Sequence, residues 1–168
     1  TGAYRYVTAK NIRQWGLDLS DISYVDEQTH KEIYSRCPVE HGDVLYIKDG
    51  VTTGLAAINT LAEPFSMLSS VALLKPTRDV LHPPYLKHWL NSPLTKRDMT
   101  SGMTGTAIKR LVLKQIRAAE IPLAPLNEQR RIADKLDTVL TRVDAVSARL
   151  ARVAPLLKRF RQSVLAAA

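Results

Sequence analysis

From Ile132 onward the apolar positions recur in an unbroken 4, 3, 4, 3 spacing: Ile132, Leu136, Val139, Val143, Val146, Leu150, Val153, Leu157, Phe160, Val164. That step keeps every one of them on a single helix face with the 3.5-residue period of a coiled coil. The helix is predicted to open at Leu126-Asn127-Glu128. Asn127 is its expected N-cap, and Glu128 suits the positive end of the dipole. About 40 residues at 1.5 Å each give a spacer of roughly 60 Å. Each large apolar side chain left in water forgoes about 1.5–3 kcal/mol, so the stripe requires a partner helix, in a second copy or in another part of a longer chain. Pro155 falls inside the pattern. A proline there removes one backbone hydrogen bond at about 3 kcal/mol, so a kink or local break is expected at that point. The competing arrangement, two helices folded back on one domain, conflicts with the phase that continues across the proline.

Before Pro122–Pro125 the pattern is short and mixed. Tyr4–Val7, Ile22–Val25, Val44–Ile47 and Val71–Leu74 read as strands, and Glu120–Leu123 as a final one. His41-Gly42-Asp43 and Lys48-Asp49-Gly50 are turn chemistry. Val51–Asn59 is predicted to return as a strand with Gly54 at a bulge or close backbone approach. Glu27–Tyr34 reads as a short helix. His82-Pro83-Pro84-Tyr85 starts another, with proline in the first turn. Asn91-Ser92-Pro93 interrupts it before a second helical segment. Thr100–Thr106 is a Gly-, Ser- and Thr-rich loop, and Leu111–Ile116 a short helix or turn. The expected fold is α+β: a small, mostly antiparallel β-rich domain with short helices over residues 1–125, then one long coiled-coil α-helix over 126–168.

Composition narrows the chemistry. Twenty-four Lys and Arg against 16 Asp and Glu give a net charge of +8 in 168 residues, which favours a polyanionic partner, usually nucleic acid. Cys37 is the single cysteine, so one chain holds neither a disulfide framework nor a cysteine zinc site, and a lone thiol suits a reducing cytoplasm. No apolar run reaches membrane-spanning length. Thr1-Gly2-Ala3-Tyr4 has no signal-peptide pattern and no initiating Met, as expected of a processed or trimmed chain. No phosphate-binding Gly-rich loop, HExxH or Cys/His cluster appears, and His30, His41, His82 and His88 lack metal spacing. No metal, cofactor or catalytic residue is assigned. A nuclease would need a carboxylate pair with a lysine at a metal. Asp43 and Asp49 are explained more simply by their turns.

The basic residues supply the candidate site. Lys96, Arg97, Lys109, Arg110, Lys114 and Arg117 surround the Thr100–Thr106 loop, opposed there only by Asp98. Arg and Lys with small hydroxyl side chains such as Thr104 and Thr106 are what phosphate and base-edge contacts use. Lys10, Asn11 and Arg13 form a second cluster, Asn11 being suited to adenine, and Lys48 tops the Asp-Gly turn. The plain alternative is a solvated basic face. His82-Pro83-Pro84-Tyr85 also looks like the Asn/Asp-Pro-Pro-Tyr motif of amino-methyltransferases, in which the aromatic ring stacks on a flipped base. Here a histidine holds the first place and no adenosylmethionine loop follows a strand, so a helix start is the better reading.

Ile121–Ile132 (IPLAPLNEQRRI) resembles the IPLPPLxEQxxI signature of type I restriction-modification specificity subunits, with Ala124 in place of a proline. Tyr6–Ile12 is similar to that family's YIRxxDI segment. Gly42–Gly50 followed by Gly54 resembles GDVLIxxxGxxxG. Pro84-Tyr85-Leu86, the Gly102/Gly105 loop before Ile108, and Arg161–Ala168 also resemble family segments. The resemblance covers most of the chain, and the Glu128-Gln129 segment is its most specific part.

The resemblance implies a non-catalytic, bacterial, cytoplasmic subunit whose recognition domain reads one half of a split target in double-stranded DNA. It implies two helices packed antiparallel to set the distance between halves. Methyltransferase subunits clamp around that assembly, and a motor-nuclease subunit joins for cleavage. A complete subunit carries two recognition domains and two helices, and its first domain begins some tens of residues earlier. One of each here implies half a subunit or a fragment, pairing with a second half or a second copy. The rival expectations are a small adenine DNA methyltransferase using His82–Tyr85 and a coiled-coil assembly protein that binds no DNA.

Overall fold

A computed structural model describes residues 2–101 and 110–166, with side chains up to residue 163. The described residues form eight strands: β1 (Tyr4–Val7), β2 (Ile12–Arg13), β3 (Gly16–Leu17), β4 (Ser23–Val25), β5 (Val44–Ile47), β6 (Ala56–Ile58), β7 (Ser66–Met67) and β8 (Val71–Leu74). Five α-helices accompany them: α1 (Glu27–Tyr34), α2 (Pro83–Asn91), α3 (Pro93–Ser101), α4 (Leu113–Arg117) and α5 (Leu126–Ala166). The strands form a sheet ordered β4-β1-β7, a β2-β3 hairpin and a sheet ordered β6-β5-β8. All pairings are antiparallel except β1 with β7. The architecture is the α+β one expected from the sequence.

Strand β5 explains the layering. Its four residues, Val-Leu-Tyr-Ile, are all buried. Alternate residues of a strand point to opposite faces, so an unbroken apolar run means cover on both. Leu45 and Ile47 join Val7, Ile12, Ala57, Phe65, Met67 and Val71 in one core against the first sheet. Val44 and Tyr46 join Ala56, Ala72, Leu86, Leu90 and Leu111 in a second core under α2. The buried Tyr46 hydroxyl has no partner among the described residues. Burial pushes its pKa up to about 12.

Side chains fasten the helices to these sheets. Asp26 caps α1 by accepting the Thr29 N–H at 2.9 Å. Hydrogen bonds from Thr29 hold that carboxyl below the usual aspartate range. His30 is buried, hydrogen-bonds Ser66 Oγ at 2.9 Å through Nδ1, and stacks on Tyr4 with ring centroids 3.9 Å apart. Thus α1 is pinned to both β1 and β7. At the far end of α2, Asn91 accepts from the Ala56 N–H at 2.9 Å and donates to the Ala56 carbonyl at 2.8 Å.

The structure corrects several sequence expectations. Residues 51–54 are turn, and the returning strand begins only at Ala56. Two-residue strands such as β2, β3 and β7 are too short to show a period. Residues 120–123 form no strand. Pro122 cannot donate to a ladder. Carbonyls of this stretch instead accept from side chains: Pro122 from Tyr85 Oη at 2.8 Å, Ala124 from Gln129 Nε2 at 2.8 Å. Asn127 is not the N-cap of α5. The helix starts at Leu126, and the N–H groups of Glu128 and Gln129 both bond the Pro125 carbonyl. No break interrupts α5, which contains Pro155 within its 41 residues. A proline already has a helical φ and removes a single hydrogen bond.

The chain divides into two compact units, residues 1–130 and 131–168. In the second, the side chains of Leu136, Val139, Val143, Val146, Leu150, Val153, Leu157 and Phe160 are 38% to 68% exposed. The Val164 side chain lies outside the described residues. Among the described residues no helix is long and apolar enough to cross a membrane.

Two substitutions check this packing. Gln129 is fully buried, accepts from the His82 N–H at 2.8 Å and donates to the Val80 and Ala124 carbonyls at 2.9 and 2.8 Å. Gln129→Leu, which keeps the volume but removes these bonds, is expected to lower stability by about 2–3 kcal/mol in urea unfolding. Tyr46→Phe removes only the orphaned hydroxyl, so the same measurement should show stability unchanged or raised by up to about 1 kcal/mol.

Candidate nucleic-acid interface

The turn after β5 is built by its glycines. Gly50 and Gly54 have φ of +105° and +90°, which only glycine adopts cheaply. The Gly54 N–H returns to the Ile47 carbonyl at 2.9 Å, and Thr53 Oγ1 donates to the Gly50 carbonyl at 2.6 Å. A Cβ on Gly54 would lie 3.0 Å from Lys96 Cγ, so the aliphatic stem of Lys96 rests on this turn. Val51 stands fully exposed at its tip.

Arg110 joins this turn. It forms an isolated antiparallel bridge with Asp49, and the N–H of the buried Leu111 donates to the Lys48 carbonyl at 2.9 Å. Asp49 accepts from Lys48 Nζ at 2.9 Å and lies 3.9 Å from Arg110 Nε. The Asp49 side chain is 14% exposed and that of Arg110 62%, so the acid is covered and the guanidinium faces water. Asp98 is therefore not the only acid opposing the basic group. It pairs weakly with Arg97 at 3.6 Å, while Asp49 holds Lys48 at 2.9 Å and faces Arg110, distant in sequence, without a hydrogen bond.

The β2-β3 hairpin, which lies against β6, and the 3-10 turn just before it (Ala9–Asn11) carry the other sequence candidates. Lys10 Nζ is 2.8 Å from Asp21, and Arg13 is 3.5 Å from Asp18. Hydrogen bonds from Ser20, side chain and then backbone, with the nearby Arg13 charge, hold the Asp18 carboxyl below its ordinary range. Asn11 is not a base reader. It is 1% exposed. Its Oδ1 accepts from the Thr8 N–H and hydroxyl, while Nδ2 donates to the Asp18 and Asp21 carbonyls. An amide so committed holds the hairpin together and has no capacity left for a ligand. The residue missed in the sequence is Trp15, at the hairpin tip and 72% exposed. Its signal was an aromatic side chain directly before a glycine in Arg13-Gln14-Trp15-Gly16.

Lys114 and Arg117 are exposed on α4, and Lys96 and Arg97 on α3. Thr104, Thr106 and Lys109, with the Gly102/Gly105 loop, lie outside the described residues. The structure thus brings Lys48, Lys96 and Arg110 to one turn, and places Arg13 on a separate hairpin with Lys10 on the 3-10 turn before it.

His82-Pro83-Pro84-Tyr85 serves as a helix start. His82 precedes α2, Pro83 begins it, the Tyr85 hydroxyl is committed to Pro122, and the backbone N–H of His82 to Gln129. No group of three or more His, Cys, Asp or Glu able to hold a metal occurs among the described residues.

Residues 1–154 match the family model described as the type I restriction modification DNA specificity domain. The chain belongs to that family. It is 31% identical over 162 residues to the type I restriction enzyme StySPI specificity subunit of Salmonella potsdam, covering 96% of this chain and 35% of that protein. It is 36% identical over 161 residues to the EcoBI specificity subunit of Escherichia coli, covering 94% and 33%. The chain thus spans about a third of the length of these relatives. Among solved structures, the HsdS subunit from Thermoanaerobacter tengcongensis shares the fold with a TM-score of 0.66 at 21% identity, over 85% of this chain and 37% of that one. A chain from a structural study of complex assembly and conformational transition of the type I R-M system shares it with a TM-score of 0.72 at 23% identity, over 98% and 38%.

In this specificity domain the Lys48–Asp49–Arg110 group is open to test. Asp49→Asn keeps the shape and removes the charge that holds Lys48 and faces Arg110. Urea unfolding is expected to show a loss of about 1–2 kcal/mol, in line with one partly covered charge-assisted hydrogen bond.

Proposed function

We propose that this chain is a non-catalytic recognition module that reads one half of a bipartite target in double-stranded DNA. The observation that carries the reading is the basic group on the turn after β5, the exposed Arg110 and Lys96 beside the half-buried Lys48, in a chain of the DNA specificity family. Lys114 and the side chains of Thr104, Thr106 and Lys109 complete the proposed contact surface, with Lys10 and Arg13 as a second basic group. Residues 1–125 act as the recognition domain and 126–168 as the spacer helix. Cations position the protein on phosphates, and base contacts add the choice of sequence. Adenine methylation and DNA cleavage belong to methyltransferase and motor-nuclease subunits that assemble on the module in a bacterial cytoplasm.

The exposed stripe of α5 supports the spacer part of the reading. Eight large apolar side chains from Leu136 to Phe160 on one helical seam stay in contact with water. Their burial would release about 1.5–3 kcal/mol each, enough to hold a partner helix from a second recognition half or a second copy.

The decisive experiment measures binding to duplex DNA over a salt series. Arg110→Glu with Lys114→Glu is expected to weaken binding at least tenfold near 50 mM salt. It should also flatten the log–log salt slope by about two, at roughly 0.9 for each phosphate no longer neutralised. Unchanged affinity and slope would remove these residues from the interface. Light scattering on the full chain checks the helix: Val146→Glu with Leu150→Glu should abolish any self-association.

A further inference from the structure

Trp15 is out of place as a structural residue. The chain has two tryptophans. Trp89 packs on the second core, whereas Trp15 stands 72% exposed on the two-residue tip between Arg13 and Gly16, which are paired across β2 and β3. Exposure here does not come from a loose loop. Asn11 ties the base of the hairpin with four hydrogen bonds, Ile12 is fully buried, and Leu17 packs on the first core. The tip residues Gln14 and Trp15 are both exposed at the end of a fixed two-stranded ribbon. A stem tied this firmly has no packing need for an indole in water, which is the placement expected of a contact residue.

The chemistry of the tip is specific. The cations beside the tip are paired with acids flanking the ribbon, Lys10 with Asp21 and Arg13 with Asp18, and Gln14-Trp15 itself is a neutral amide beside a large apolar ring. The major groove of B-DNA, about 12 Å wide, admits a two-stranded ribbon. There a glutamine amide matches the N6 and N7 of adenine, and an apolar side chain meets the thymine methyl. Resting on the reading of this domain as a DNA reader, we infer that the β2-β3 tip enters the major groove and recognises an A·T pair, Gln14 on the adenine edge and Trp15 on the thymine methyl. Gln14 and Trp15 themselves carry no charge, in contrast to the Lys48–Arg110 turn, so substituting them alters which sequence is bound and leaves the salt dependence to the neighbouring cations.

The test starts with the full wild-type chain and a pool of randomised duplexes, from which the bound fraction is enriched and sequenced. The duplex obtained is then prepared twice, with thymine and with uracil, which differ by the methyl group. Trp15→Ala is expected to bind the thymine duplex at least tenfold more weakly, with the same salt slope and an unchanged thermal midpoint, since Trp15 lies outside both cores. The wild type should lose about three- to tenfold on the uracil duplex, and Trp15→Ala should not distinguish the two. Wild-type enrichment with an unaltered Trp15→Ala, or an equal loss on uracil by both proteins, overturns the role of the tip and leaves the DNA reading standing. So does a Trp15→Ala defect confined to binding a partner protein. A wild type that enriches no duplex overturns the DNA reading, and the role of the tip falls with it.

Discussion

The double burial of β5 is the constraint on which the domain depends. A strand with cover on both faces needs two separate layers, and each layer here is assembled on a different pair of its side chains. Leu45 and Ile47 recruit the first sheet, while Val44 and Tyr46 recruit α2 and Leu111. The strand runs directly into Lys48-Asp49, so the basic turn is mounted on a segment covered on both faces. Leu111, anchored in the second core and bonded to the Lys48 carbonyl, fixes the neighbouring Arg110 from the other side. Packing thereby becomes geometry at the surface: apolar burial within two residues of each cation decides where the charge stands.

The net charge of +8 is spread unevenly in its availability. Several cations are matched by local acids: Lys10 by Asp21, Arg13 by Asp18, Lys75 by Asp43 and Glu40. The exposed ones among these contribute little to stability, whereas the buried Asp43 relies on Lys75 as its counter-charge. The pairs do hold long side chains in defined places. Asp49, like Asp43, is covered while one of its partners is exposed. A sequence tally of positive residues therefore overstates the charge offered to a polyanion and conceals how it is directed.

What the sequence revealed follows from periodicity. The α5 stripe repeats for long enough to specify its helix, Val44–Ile47 and Val71–Leu74 were legible as short apolar runs, and the Asp49-Gly50 and Pro83 signals mark the end of β5 and the start of α2. The family was legible too, because the Gln129 segment has a demanding local job: a buried amide serving three backbone groups. Individual site residues were less legible. Asn11 has the right chemistry for adenine, and only its burial reveals that its hydrogen bonds are already committed. The alliance of Asp49 with Arg110 joins residues far apart in sequence, beyond the reach of any local pattern. Trp15 was visible as a letter, but exposure at a hairpin tip is a property of the fold.

Asn91 has a consequence beyond fastening α2. A strand at the border of a sheet offers bare N–H and C=O groups to any extended peptide that drifts past, and that is how sheets grow into aggregates. At Ala56 both groups are already taken by one side-chain amide. The helix thus supplies a one-residue mimic of the missing neighbour strand. β-Augmentation is blocked at this position without lengthening the sheet, which helps keep a protein with several very short strands from joining its copies edge to edge.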